Sequence, residues 1–145
     1  MNWIREAKDK LDNYAAWCSA IKRTRAEIRR LENDYVNIRS ARTDGTPVQG
    51  GGNTREEAMC ANIAERQELE NLLNTTEGKV AAVKEALAIL SPEERDILEK
   101  MVIYYRKGNV EKVCAEMHMD RSTVYRKRDK ALRHFGMAFY GAIET

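Results

Sequence analysis

The chain has 145 residues, the size of one ordinary domain, with 43% hydrophobic residues, 33% charged residues and a net charge of +2. This balance is too apolar for a disordered chain, and no segment has the roughly 20 uninterrupted apolar residues that a membrane span requires. The three cysteines (Cys18, Cys60 and Cys114) are scattered without a CxxC pair. This spacing argues against a disulfide framework or a metal site and favours a reducing, cytoplasmic location.

The first predicted element is a long helix over residues 2–42. Its apolar side chains recur at heptad spacing, which is typical of a helix that packs along a narrow seam. The two series begin with Ile4, Leu11 and Cys18 and with Ala7, Tyr14, Ile21 and Ile28. The segment has ten basic and six acidic residues, a net charge of +4.

A second long helix is predicted over residues 54–90, after a glycine-rich loop over residues 43–53. Its heptad series contain Leu69, Leu73 and Val80, and residues 53–90 have four basic and seven acidic residues. Because the two helices are of nearly equal length and are joined by a short loop, we expect an antiparallel coiled-coil hairpin. Their opposite net charges favour the same pairing.

A two-helix hairpin buries little apolar surface by itself, so we expect residues 1–90 to associate with a second copy of the chain. Trp3 and Trp17 are 14 residues apart and therefore share one helix face, which is a candidate second buried surface. A spacer or stalk is the alternative interpretation of the hairpin. The predicted oligomerisation residues are Ile4, Leu11, Tyr14, Ile21, Ile28, Leu69, Leu73, Val80, Trp3 and Trp17.

Residues 91–145 are predicted to form a compact three-helix domain. Ser91 and Pro92 are typical of a helix start, and this helix is predicted to reach about Arg106 with Ile97, Leu98, Met101, Val102 and Tyr105 on one side. A short helix over residues 110–117, a turn over residues 118–120 and a basic helix from Arg121 to at least Phe135 follow. A short helix, a tight turn and a longer basic helix indicate a helix-turn-helix.

The last helix carries the candidate DNA contacts. Residues 121–133 hold six basic residues and one acidic residue, and Val124, Ala131, Leu132 and Phe135 project to the opposite, core side. Because the N-terminal end of such a helix enters the major groove, the predicted base-reading residues are Arg121, Ser122, Tyr125 and Arg126. The predicted phosphate contacts are Thr123, Lys127, Lys130 and Arg133, whereas we expect Arg128 to form a salt bridge. His134 is predicted at the surface or near a phosphate.

Residues 87–135 resemble region 4 of sigma-70-type factors. The resemblance lies in Leu90–Leu98, Val113–Met117, Asp120–Arg126 and Lys130–Arg133. It implies a helix-turn-helix in residues 110–135 that reads promoter DNA. The chain departs from the family at Lys127, where an apolar residue is usual, and no upstream segment is similar to the sigma domain that melts promoter DNA.

The whole layout is similar to small phage regulators of the ArpU and RinA type, which implies control of late or packaging genes in phages and prophages of Gram-positive bacteria. The sequence thus predicts a dimeric, cytoplasmic transcriptional regulator that binds double-stranded DNA. Two alternatives stay open: the DNA-recognition small subunit of a packaging terminase, and a coiled-coil adaptor that binds host RNA polymerase. The sequence contains no nucleotide-binding, hydrolase or metalloprotease motif, so we expect no enzymatic activity, cofactor, small-molecule substrate or membrane partner.

Overall fold

The computed structural model describes residues 2–41 and 54–141, and every regular element in these ranges is a helix. The α-helices are α1 (Trp3–Ser40), α2 (Thr54–Ile89), α3 (Pro92–Leu98), α4 (Asn109–Met117) and α5 (Arg121–Tyr140). A π-helical turn over Glu99–Ile103 follows α3 directly. The all-α prediction is confirmed, while the predicted glycine-rich loop at 43–53 lies outside the described residues.

The chain divides into two compact units. We call Met1–Cys18 together with Gly78–Thr145 the head unit, and Ser19–Glu77 the arm unit. The head unit therefore contains the first turns of α1 and the end of α2 in addition to α3, α4 and α5. The division into an oligomerisation domain over 1–90 and a DNA-binding domain over 91–145 stays a prediction.

In the arm unit, α1 and α2 pack antiparallel. The Arg55 Nε atom donates to the Ile38 carbonyl at 3.1 Å, whereas Arg25 forms an ion pair with Glu77 at 2.5 Å. The end of one helix therefore lies beside the start of the other. The buried seam contains Ile21, Ile28, Leu31 and Asn62.

The head unit has a denser core. Its fully buried side chains come from both ends of the chain, because the start of α1 and the end of α2 pack with the C-terminal helices. The largest are Leu11, Val83, Ile97, Leu98, Val113, Val124 and Phe135. Ser91 caps α3 as predicted, since its Oγ atom accepts from the Glu94 N–H at 3.2 Å and Pro92 occupies the first turn.

The helix predicted to continue to Arg106 is shorter, and Tyr105 is not on its buried side. The π-helical turn buries Met101, Val102 and Ile103 in succession, because its wider winding changes the helical phase of the residues that follow α3. Tyr105 lies beyond the turn and is 55% exposed. The Asn109 side-chain amide donates to the Lys100 and Tyr104 carbonyls at 2.9 and 3.2 Å, which satisfies backbone acceptors at this helix end.

Candidate nucleic-acid interface

The helices α4 and α5, which the sequence predicts to form a helix-turn-helix, are joined by three residues, His118–Asp120. His118 has a left-handed backbone, with φ 54° and ψ 46°, and its N–H donates to the Cys114 carbonyl. This conformation ends α4 and reverses the chain. Asp120 then caps α5, since its Oδ1 atom accepts from the Thr123 N–H at 3.3 Å. The turn over residues 118–120 agrees with the sequence prediction.

The two sides of α5 differ sharply in burial. Val124, Ala131 and Phe135 are 0% exposed and Leu132 is 3% exposed, so the predicted core side is confirmed. Arg126, Lys130 and Arg133 are all exposed. Their spacing of four and three residues places them on one face of the helix, opposite the buried side. We call Arg126, Lys130 and Arg133 the basic stripe.

The remaining cations of α5 have carboxylate partners. Lys127 Nζ lies 2.6 Å from Glu93 Oε1, and Arg128 forms the expected salt bridge, with Asp129 at 2.9 Å. Arg121 lies 3.9 Å from Glu111, a loose contact between two exposed side chains. In contrast, the stripe residues form no ion pair with any residue of 2–41 or 54–141. The stripe is therefore the part of α5 whose positive charge is least compensated.

The four predicted base-reading residues are placed differently from one another. Arg121, Ser122 and Arg126 are exposed in the first turns of α5, whereas Tyr125 is half-buried. The Arg128 guanidinium lies 5.0 Å from the centre of the Tyr125 ring. Tyr125 also lines a shallow groove together with Met101 and Val102 of the π-helical turn. Tyr125 therefore packs beside the π-helical turn, a position that helical projection of α5 alone does not reveal.

The predicted phosphate contacts also separate into two groups. Lys130 and Arg133 belong to the basic stripe and are exposed. Thr123 and Lys127 are half-buried, and Lys127 is held by Glu93 on α3. Because Glu93 lies 34 positions earlier in the chain, the sequence pattern gave no sign of this pairing.

His134, which we expected at the surface or near a phosphate, forms a hydrogen bond with Glu94 across the α3–α5 contact. Burial by itself raises the pKa of the Glu94 carboxyl, but hydrogen bonds from His134 and Ser91 outweigh burial and bring the pKa below its ordinary value. His134 therefore joins two helices of the head unit. No group of three or more potential metal-ligating side chains occurs among the residues that the structure describes.

Most of the predicted oligomerisation residues pack within a single chain. Leu11, Tyr14, Ile21, Ile28 and Val80 are buried, and Ile4, Leu69, Leu73, Trp3 and Trp17 are half-buried. The Trp3 ring lies 4.9 Å from the Tyr140 ring at the end of α5, and Lys79 Nζ lies 5.5 Å from the centre of the Trp17 ring. The large apolar side chains that are exposed in the described part of the arm unit are Val36, Ile63 and Leu72, and none of them belongs to the predicted heptad series.

Comparisons with known proteins place the chain in a family. Within the described ranges, no helix is long and apolar enough to cross a membrane. No curated protein and no solved structure matches the chain. A family model described as "Protein of unknown function (DUF1492)" matches residues 37–136, which include α2, α3, α4 and most of α5. Because this match covers more than half of the sequence, the chain belongs to the DUF1492 family.

Proposed function

We propose that this protein is a transcriptional regulator that binds a specific double-stranded DNA sequence by inserting α5 into the major groove. The observation that carries the proposal is the basic stripe, three exposed cations without carboxylate partners on the face of α5 opposite its core. A helix that follows a short helix and a tight turn is the usual reading element of such proteins. Its exposed guanidinium and ammonium groups suit base edges and phosphates.

The roles of the individual side chains follow from their positions along α5. Arg121, Ser122 and Arg126 lie in the N-terminal half of the helix, where side chains of a reading helix approach base edges. Lys130 and Arg133 lie one and two turns further on, where they approach the phosphates that flank the groove. Tyr125 supports this surface from the side, since it packs against Arg128 and the π-helical turn.

The resemblance of residues 87–135 to sigma-70 region 4 supports the same proposal, because that region reads promoter DNA with a helix-turn-helix. The similarity of the overall layout to regulators of the ArpU and RinA type supports a phage or prophage origin and control of late or packaging genes. In this proposal the protein acts in the cytoplasm of the bacterial host, and host RNA polymerase is a further candidate partner.

Binding as a dimer is part of the proposal, and the arm unit is its basis. Among its described residues, 19–41 and 54–77, the arm unit buries only three apolar side chains (Ile21, Ile28 and Leu31), while Val36, Ile63 and Leu72 are 57%, 47% and 53% exposed. Its α1 portion has six basic and three acidic residues, and its α2 portion has two basic and six acidic residues. A second copy can therefore place its acidic α2 against the basic α1 and cover the exposed apolar side chains.

The dimer is tested by measuring the molar mass of the chain in solution by light scattering. We expect the wild-type chain to form a dimer and the double variant Ile63→Glu/Leu72→Glu to be monomeric, because buried carboxylates oppose association. Met137→Glu is the matched control, since Met137 is 52% exposed in the head unit. A monomeric wild-type chain would contradict the dimer, and a ring of many copies would support a packaging-terminase subunit instead.

The DNA-binding proposal is tested by selection from random duplexes followed by titration of the selected sequence. We expect Arg126→Ala to weaken specific binding by about 1–3 kcal/mol and to relax selectivity at one position of the site. Arg133→Ala should weaken binding to all sequences alike and lower the salt slope by about one. Lys84→Ala is the matched control, because Lys84 is exposed on α2 in the head unit, outside both α5 and the arm unit, and its loss changes the net charge equally.

Two outcomes would contradict the proposal. Selection that enriches no sequence, with equally weak binding to every duplex, would exclude sequence-specific recognition. Equal losses of affinity in Arg126→Ala and Lys84→Ala would show that binding depends on total charge and not on the basic stripe.

A further inference from the structure

A shallow hollow lies between α3 and α5 at the edge of the basic stripe. It has a volume of about 210 Å³. Its acidic and basic lining residues are Glu93 and Glu94 at the start of α3 and Lys127, Lys130 and His134 on α5. Lys130 belongs to both the stripe and the hollow, so a phosphate bound by Lys130 would lie beside the Lys127 side chain.

The two carboxylates of the hollow have different partners. Glu94 accepts hydrogen bonds from the Ser91 hydroxyl and interacts with His134, which fixes it within the α3–α5 contact. Glu93 forms one ion pair within the described residues, with Lys127, and the Oε1 and Nζ atoms lie 2.6 Å apart. Both partners are partly exposed, with 51% of the Glu93 side chain and 38% of the Lys127 side chain accessible.

A carboxylate at this distance competes directly with a DNA phosphate. The Glu93 carboxylate neutralises the charge of the Lys127 ammonium group, so the intact pair offers a phosphate no net positive charge. Each phosphate that a protein neutralises releases counterions and strengthens binding to any duplex, irrespective of sequence. An ion pair that withholds one cation therefore lowers the sequence-independent part of DNA binding and leaves the base contacts unchanged.

We propose that Glu93 is a specificity-determining residue, which keeps Lys127 away from DNA phosphates and thereby limits non-specific binding. This inference rests on the proposed DNA-binding function. It assigns a role to the first turn of α3, which lies outside the helix-turn-helix, and it excludes Lys127 from the phosphate contacts of the wild-type protein.

The test measures the affinity for a duplex of unselected sequence over a range of salt concentrations. We expect Glu93→Gln to raise this affinity roughly three-fold to ten-fold and to steepen the dependence of log K on log salt by about 0.9, which corresponds to one additional phosphate contact. Glu85→Gln is the matched control, because Glu85 is exposed on α2 and its substitution changes the net charge equally. The affinity of Glu85→Gln for the same duplex should increase much less.

The double variant Glu93→Gln/Lys127→Ala separates the ion pair from a general charge effect. We expect Glu93→Gln to give no gain when Lys127 is replaced by Ala, because no cation is then released. Equal gains in Glu93→Gln and Glu85→Gln, or a full gain in the Lys127→Ala background, would overturn the inference. A wild-type chain that binds no duplex would instead overturn the proposed function, so the two failures are distinguishable.

Discussion

The head unit and the arm unit are built from the same two long helices, but they differ in how much apolar surface they bury. In the head unit, the start of α1 and the end of α2 belong to one compact unit with α3, α4 and α5, and Leu11, Val83 and Phe135 are 0% exposed. In the arm unit, α1 and α2 pair only with each other, and Ile21 and Ile28 are each 8% exposed.

This difference shows how one heptad pattern gives two kinds of structure. Where further helices are available, the seam becomes part of a dense core with several layers of side chains. Where they are absent, two helices bury one narrow stripe, and polar groups enter the seam at Asn62 and Arg66. We therefore expect the stability of the head unit to depend on the packing of its core. The stability of the arm unit should depend on the register of α1 against α2 and on association with a second copy.

The largest expected effect is the loss of a core side chain in the head unit. Phe135→Ala should lower the free energy of unfolding by about 3–5 kcal/mol, because it leaves a cavity among fully buried neighbours. Leu31→Ala in the arm unit should lower the free energy of unfolding by about 2 kcal/mol, near the lower end of the range for buried Leu→Ala substitutions, because half-exposed neighbours can move into the space. Urea unfolding followed by circular dichroism measures both, with the exposed Met137→Ala as the control. A larger loss for Leu31→Ala than for Phe135→Ala would contradict the comparison.

A smaller effect is expected at the polar position of the arm seam. The Asn62 side-chain amide donates to the Leu31 carbonyl at 2.8 Å and accepts from Arg66 Nε at 2.8 Å, while Arg66 lies 5.0 Å from the centre of the Tyr35 ring. A buried asparagine in such a seam selects one register and lowers stability. Asn62→Leu should therefore leave the unfolding free energy equal or raise it by up to about 1 kcal/mol, while the register becomes less specific.

The register of Asn62→Leu is measured by spin-label distances between α1 and α2 and by the distribution of molar masses. We expect broader distributions of both than in the wild-type chain. Asn71→Leu is the matched control, since Asn71 is exposed on α2. A less stable Asn62→Leu variant with one sharp register would show that the asparagine stabilises the seam and does not select its register.

The smallest effect is expected for the pH dependence of the α3–α5 contact. Because the pKa of the Glu94 carboxyl is lowered in the folded chain, its contribution to stability is present above the ordinary pKa of glutamate and is lost as the pH falls through the folded value. Wild-type protein should therefore lose more stability than Glu94→Gln between about pH 6 and about pH 3. Urea midpoints at several pH values measure this difference, with Glu85→Gln as the control. If wild type, Glu94→Gln and Glu85→Gln showed the same pH dependence of stability, the predicted contribution of Glu94 would be contradicted.

The candidate site was predicted in part from the sequence. The short helix α4, the tight turn after it and the buried side of α5 follow from local spacing, and the structure agrees with each. The different environments of Tyr125 and Lys127 could not be predicted in this way. They depend on the π-helical turn and on Glu93, whose positions relative to α5 are set by packing between distant segments.

Local spacing in the sequence was sufficient to predict α1, α2, α4 and α5, the Ser91 cap and the buried side of α5, because helical periodicity and capping are interactions between residues a few positions apart. The end of the helix that begins after Ser91 was predicted wrongly, since a π-helical turn follows Leu98. The contact between Trp3 and Tyr140 arises from the tertiary structure. The same is true of the difference between Lys127, which is paired with Glu93, and the basic stripe, which forms no ion pair within residues 2–41 and 54–141. These contacts join residues far apart in the chain. Their occurrence depends on how the helices cross, and helical spacing does not encode that angle.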